Sequence, residues 1–188
     1  GLEITGVQLT ENRAIAVDGN MRTSVNNIYA VGDVTAKLQL AHVAEAQGIT
    51  AAEAICAEGP EEIVDYLAMP RAIFTNPQVA SFGRTQAQLE AMGVELLVSK
   101  FPLAANGKAH ALGTATGFVK LLADAKTRKL LGGHIVAADA SEYLAELTLG
   151  HRLGLTVDQM VKNVHIHPTL SEAVQEALHG LAGKMINA

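Results

Sequence analysis

The stretch His165-Ile166-His167-Pro168-Thr169-Leu170-Ser171-Glu172-Ala173 holds an imidazole and a carboxylate five positions apart. An imidazole, with an ordinary pKa near ~6.5, can take a proton from a thiol near ~8.5 when a carboxylate supports it. A helix starting between His167 and Glu172 would bring the carboxylate back to the far ring nitrogen. That would fix the tautomer and leave the other nitrogen for a substrate. The chemistry is general acid–base catalysis by His167, with Glu172 as its orienting partner. The same letters have a structural reading, and on spacing alone it is the more common outcome. Thr169 and Glu172 have the spacing of a capping box. His165 and His167 alternate with Ile166, so they would share one face of a strand as satisfied core histidines.

Two further stretches carry candidate groups. Asn27-Ile28-Tyr29-Ala30-Val31-Gly32-Asp33 has the shape of a buried strand ending in a sharp turn. Asp33 would then sit at a strand's C-terminal end, where open α/β sheets bind nucleotides and a carboxylate can hold a sugar-like hydroxyl. Most such Gly-Asp pairs are only turns. The run 38–48, LQLAHVAEAQG, starts a helix whose free amides could face an electron-rich cofactor edge. His42 and Glu45, one turn apart, are more often surface or capping residues. Cys56 lies in a small-residue helix and reads as a small buried apolar side chain. No metal site is expected.

The elements that position these groups must come from 188 residues, enough for one sizeable core or for one domain plus part of another. Apolar residues make up 49% and charged residues 18%, with a formal charge of -5, so a globular chain is expected and a basic nucleic-acid footprint is not. No apolar run is long enough to span a membrane. The single cysteine cannot close an internal disulfide, which fits the cytoplasm. There is no starting methionine or signal peptide, and GLEITGVQ reads like the middle of a longer sequence, so an excised piece is expected.

Periodicity and turn signals predict short strands over 4–17 and a strand over 26–33. A helix over 40–58 would be stopped by Gly59-Pro60. Strand–turn–strand over 70–82 and a helix over 85–93, capped by Thr85 and Gly93, follow. A strand over 94–103, a turn at Asn106-Gly107 and a hairpin over 118–138 turning at 124–128 come next. Residues 139–153 form an amphipathic helix with Leu144, Leu147 and His151 on one stripe. The last helix, 170–182, has Ala173, Val174, Ala177, Leu178 and Leu181 on its apolar face. The fold class is α+β. Residues 67–188 look like a complete unit of antiparallel sheet and helices, and 1–66 like an incomplete domain.

Taken in order, RTSVNNIYAVGDV (22–34), LAHVAEAQG (40–48), FTNPQVASFG (74–83), FPLAANGKA (101–109), GGHIVAADASE (132–142) and HIHPTLSEA (165–173) resemble the C-terminal part of the flavin-dependent pyridine nucleotide–disulfide oxidoreductases. The resemblance covers essentially the whole chain. After His-Pro-Thr the chain reads Leu170-Ser171-Glu172-Ala173, unlike glutathione reductases, and it ends KMINA without the cysteine pair of mercuric reductases. Both differences favour the branch that oxidises dihydrolipoamide.

The resemblance implies that Asp33 binds the ribityl chain of FAD. It places Gln39, Leu40, Ala41 and His42 along the flavin's pyrimidine edge. It makes His167 the acid/base and Glu172 its partner, acting across a homodimer on the other subunit's site. Residues 1–66 would be the end of the FAD-binding α/β domain, and 67–188 the dimerisation domain. NAD+ would accept the electrons, and a lipoyl-bearing subunit of a 2-oxoacid dehydrogenase complex would be the partner. Relatives often have cis prolines at Asn76-Pro77 and His167-Pro168. The chain lacks the family's cysteine pair and glycine fingerprint, so alone it should be inactive and should not hold FAD tightly. Two other readings stand beside this one: a flavin enzyme acting on another disulfide or a quinone, and a module that only dimerises.

Overall fold

The computed structural model describes residues 1–56 and 64–187. The chain divides into two compact units, Gly1–Tyr66 and Leu67–Ala188.

In the first unit the strands expected over 4–17 and 26–33 are not formed. Leu2–Thr5 and Gly32–Thr35 are 3-10 turns, and the extended pieces meet only through single bridges, Leu9 with Ile15 and Arg22 with Tyr29. An extended segment becomes a strand when a neighbour satisfies its row of amides and carbonyls. Among the described residues of this unit, those bridges and isolated bonds such as that from the Ile15 amide to the Val34 carbonyl do so, without forming a row. Helix α1 spans Ala41–Ile55 and buries Val43, Gln47, Thr50 and Ala51. The expected stop at Gly59-Pro60 lies outside the described residues. Cys56, expected to be buried, is exposed just past the helix end. Gln47, fully buried, accepts from the Gly32 amide at 2.6 Å and donates to the Tyr66 hydroxyl at 2.9 Å. This bond fastens the turn that carries Asp33 to the side of α1.

The second unit is built on one antiparallel sheet of strands β1 (Arg71–Ile73), β2 (Gln78–Gly83), β3 (Leu96–Pro102), β4 (Phe118–Asp124) and β5 (Leu130–Ala137), in the order β1-β2-β5-β4-β3. Both Asn76-Pro77 and His167-Pro168 are cis. The β4–β5 hairpin turns at 124–129, where the Asp124 carboxylate accepts from the Lys126 and Thr127 amides, as an Asx-type turn requires. Helix α2 (Gln86–Ala91) starts with a full capping box between Thr85 and Gln88, and Gly93 follows in the left-handed conformation. Thr85→Ala removes the acceptor for the Gln88 amide and is expected to cost about 1 kcal/mol. A urea midpoint unmoved by the substitution would show that this cap contributes nothing.

Asn106-Gly107 is not a hairpin turn. Asn106 caps the short helix α3 (Gly107–Ala111), its side-chain oxygen accepting from the Ala109 amide at 2.8 Å. A cap and a turn use the same residue types, so the letters alone did not separate them. The predicted helix over 139–153 opens as a 3-10 turn, Ala140–Tyr143, and continues as α4, Leu144–Arg152. The short helix α5 (Val157–Met160) precedes α6 (Glu172–Leu181).

The core lies between one sheet face and α4, α5 and α6. Phe82, Phe101, Val119, Leu121 and Ile135 point inward from alternate strand positions, as the two-residue period demands. All five apolar residues predicted for the α6 face are buried. Phe82 is fully buried and packs across the backbone of Gly133, where an added Cβ would lie 2.5 Å from its ring. The His151 ring tilts onto Phe82 at 5.5 Å between centroids, and its Nδ1 donates to the Leu130 carbonyl at 2.7 Å. Glu176 is buried too, but satisfied: its carboxylate accepts from the Ile186 and Asn187 amides and the Asn187 side chain.

Candidate active site

Residues 164–167 run to α6 without regular structure, so the strand expected to carry His165 and His167 on one face does not exist. The two rings diverge. The His167 side chain is 81% exposed, while that of His165 is 6% exposed. Without a strand's alternation, the backbone is free to turn one imidazole in and one out.

A direct hydrogen bond joins His167 Nδ1 to Glu172 Oε1 at 2.9 Å. The other carboxylate oxygen accepts from the Thr169 amide at 2.7 Å. The His167 bond and the capping bond therefore coexist, because one carboxylate has two oxygens. The capping box is half made. The Thr169 hydroxyl donates back to the Ile166 carbonyl at 2.6 Å instead of accepting from the helix, and Ser171, the residue before α6, makes no side-chain cap. A carboxylate only accepts, so the proton of this bond sits on Nδ1. In a neutral ring Nε2 is then the acceptor, directed away from the carboxylate.

Desolvation works against ionising Glu172. The Thr169 amide and then His167 outweigh it, so its pKa lies below the ordinary 4.5. The stability gained from this shift is present above that ordinary value and is lost as pH falls through the folded one.

His165 pairs with a residue that no motif pointed to. Its Nε2 bonds Glu146 Oε1 at 2.8 Å, and Glu146 Oε2 accepts from the Asn163 side chain at 2.9 Å. The partner lies nineteen residues back on α4 and is brought there by helix packing, so no local signal could have found it. The bond to Glu146 raises the His165 pKa above 6.5 against the opposing effect of burial. For a group raised on folding, the added stability is complete below the ordinary value and vanishes as pH rises through the folded one. Glu146→Gln is accordingly expected to lower the urea midpoint most near pH 5.5 to 6, by the equivalent of about 1–3 kcal/mol. The gap should narrow on the alkaline side, and a gap independent of pH would show that His165 is not charged in this pair.

The other candidate residues form a separate group in the first unit. Asp33 is exposed in the Gly32–Thr35 turn. Gln39, Ala41 and His42 are exposed and Leu40 is half-buried. No side chain caps α1, and its first turn holds no acid. The helix therefore presents its positive end beside residues 39–42. Gly32, at φ 80°, has its missing Cβ position 3.4 Å from Ala44, which lets the turn lie close against α1 and leaves Asp33 at the surface. An electron-rich ring edge and a hydroxylated chain fit these donors and this carboxylate.

Two family models match. The pyridine nucleotide-disulphide oxidoreductase dimerisation domain covers residues 69–178, and the pyridine nucleotide-disulphide oxidoreductase model covers residues 1–48. The dihydrolipoyl dehydrogenase of Mycobacterium leprae is 56% identical over 187 residues, which is 100% of this chain and 40% of that protein. The crystal structure of LpdA from Mycobacterium tuberculosis superposes with a TM-score of 0.89 at 31% identity, over 96% of this chain and 39% of that one. The flavoprotein disulfide reductase RclA of Escherichia coli, described as HOCl-induced, gives 0.85 at 26% identity, over 92% of this chain and 40% of that one. The chain thus spans about two fifths of the length of the relatives it matches.

Proposed function

Since the chain belongs to the pyridine nucleotide–disulphide oxidoreductase family, we propose that it is the C-terminal part of a flavoprotein that oxidises dihydrolipoamide to lipoamide and reduces NAD+. The balance is one dithiol and one NAD+ converted to one cyclic disulfide, one NADH and one proton. The observation that carries the reading is the 2.9 Å bond from an exposed His167 to Glu172. The identity to a dihydrolipoyl dehydrogenase over the whole chain supports this choice of substrate.

In this reading Glu172 holds the Nδ1–H tautomer, and Nε2 of His167 takes the proton from one thiol of dihydrolipoamide. The thiolate attacks a protein disulfide, the second thiol closes the lipoamide ring, and the protein's cysteines are left reduced. Those cysteines lie outside these 188 residues, whose one cysteine is Cys56. Asp33 and the start of α1 at 39–42 would hold FAD, which when bound carries the electron pair from the dithiol to NAD+. His167 serves the site of a second copy in a homodimer. In support, Val164 and Ile166 beside it are 85% and 78% exposed, apolar surface that a partner subunit would cover.

No helix among the described residues is long and apolar enough to cross a membrane. A cytoplasmic protein that reoxidises the lipoyl group of a 2-oxoacid dehydrogenase complex fits the identity to a dihydrolipoyl dehydrogenase.

The test is NAD+ reduction by the full-length protein with dihydrolipoamide, glutathione and a quinol as alternative donors. Dihydrolipoamide is expected to be preferred, with one FAD bound per chain. Preference for another donor would overturn the substrate, and absence of bound flavin would leave only a dimerising module.

A further inference from the structure

Asn106 is 4% exposed and carries an amide with both an acceptor and two donors. Its oxygen accepts from the Ala109 amide at 2.8 Å and caps α3. Its nitrogen donates to the Thr169 carbonyl, sixty-three residues away, at 3.1 Å. Thr169 is the residue whose amide holds the Glu172 carboxylate at 2.7 Å, and the other oxygen of that carboxylate holds His167. The links therefore run from Asn106 to Thr169, from Thr169 to Glu172, and from Glu172 to His167. The Thr169 hydroxyl is turned back to the Ile166 carbonyl, and its contact with Ser171 is equally local. The Asn106 bond ties this turn to a distant element.

A helix cap alone does not need asparagine. Aspartate and serine supply the same acceptor and cap equally well. What they lack is an N–H for the Thr169 carbonyl. Aspartate would face that carbonyl with a second oxygen, and serine is too short to bond both groups. We propose that Asn106 is a positioning residue for the His167–Glu172 pair, and that the amide nitrogen, not the cap, is the functional part. The inference rests on the proposed dithiol oxidation for its activity readout, but the geometry it concerns lies within this chain.

The experiment compares Asn106→Asp, Asn106→Ser and His167→Gln with wild type in the full-length protein. The readouts are dihydrolipoamide turnover against pH, the urea midpoint and the ring-proton NMR signal of His167. Both Asn106 variants are expected to keep the cap; Asn106→Ser should unfold near the wild-type midpoint, and Asn106→Asp at a lower one, because it buries a carboxylate against a carbonyl. Both should lose about ten- to a hundredfold in kcat with little change in KM, the size of loss that follows a misplaced catalytic group. The Nδ1 proton of His167 should exchange faster in both. Wild-type activity in both variants, with His167→Gln inactive, would overturn the positioning role. If wild type does not use dihydrolipoamide, the functional reading fails instead, and the ring-proton signal decides the role of Asn106 by itself. An unaltered signal in a folded Asn106→Asp protein would refute it.

Discussion

His167→Gln in the full-length protein is expected to slow dihydrolipoamide turnover by about 10²- to 10⁴-fold, the usual span for losing a general acid–base, with FAD content unchanged. Glutamine can still donate to Glu172, so the carboxylate keeps a partner and the start of α6 keeps its cap. What disappears is the bare ring nitrogen. Within its own chain the His167 side chain is 81% exposed, so the exchange removes little packing there. Fold and flavin binding should therefore survive, which separates a chemical loss from a structural one. A variant with wild-type turnover would reduce the bond between His167 and Glu172 to a helix-capping device. Equal loss of flavin and of turnover would mean that the substitution had damaged more than the proton transfer.

Phe82→Ala is expected to destabilise the second unit by about 3–5 kcal/mol. Phe82 is fully buried, lies across Gly133 and supports the His151 ring, so its removal leaves a void bordered by a backbone that cannot move in to fill it. Domains of this size have only about 5–15 kcal/mol to lose. The check is a urea titration in which the midpoint falls and the slope stays constant. Phe74→Ala is the control, since that ring is 78% exposed. A similar fall for both would show that the loss does not come from burial.

The parts of this fold legible in the sequence are those specified by neighbours along the chain. The β4–β5 hairpin follows from alternation on either side of an Asp124 turn. The start of α2 follows from Thr85 and Gln88, and the buried stripe of α6 from its spacing. The bond between His167 and Glu172 belongs to the same class, because five residues and one helix start determine it. What was illegible depends on packing. His165 turns inward because Glu146 on α4 is there to receive it, and Asn106 is a cap and a tether because Thr169 lies beside it in space. The strands expected in the first unit show the reverse case. Their residues favour extension, but extension without a paired neighbour leaves only bridges and isolated bonds.

The contact between Phe82 and Gly133 binds two positions into one shared volume. The ring occupies the space that any side chain on residue 133 would claim. Neither position can drift alone: a methyl gained at 133 has nowhere to go unless the ring at 82 shrinks in the same lineage. Among sequences that keep this sheet, the two positions should change as a pair, passing through intermediates less fit than either end.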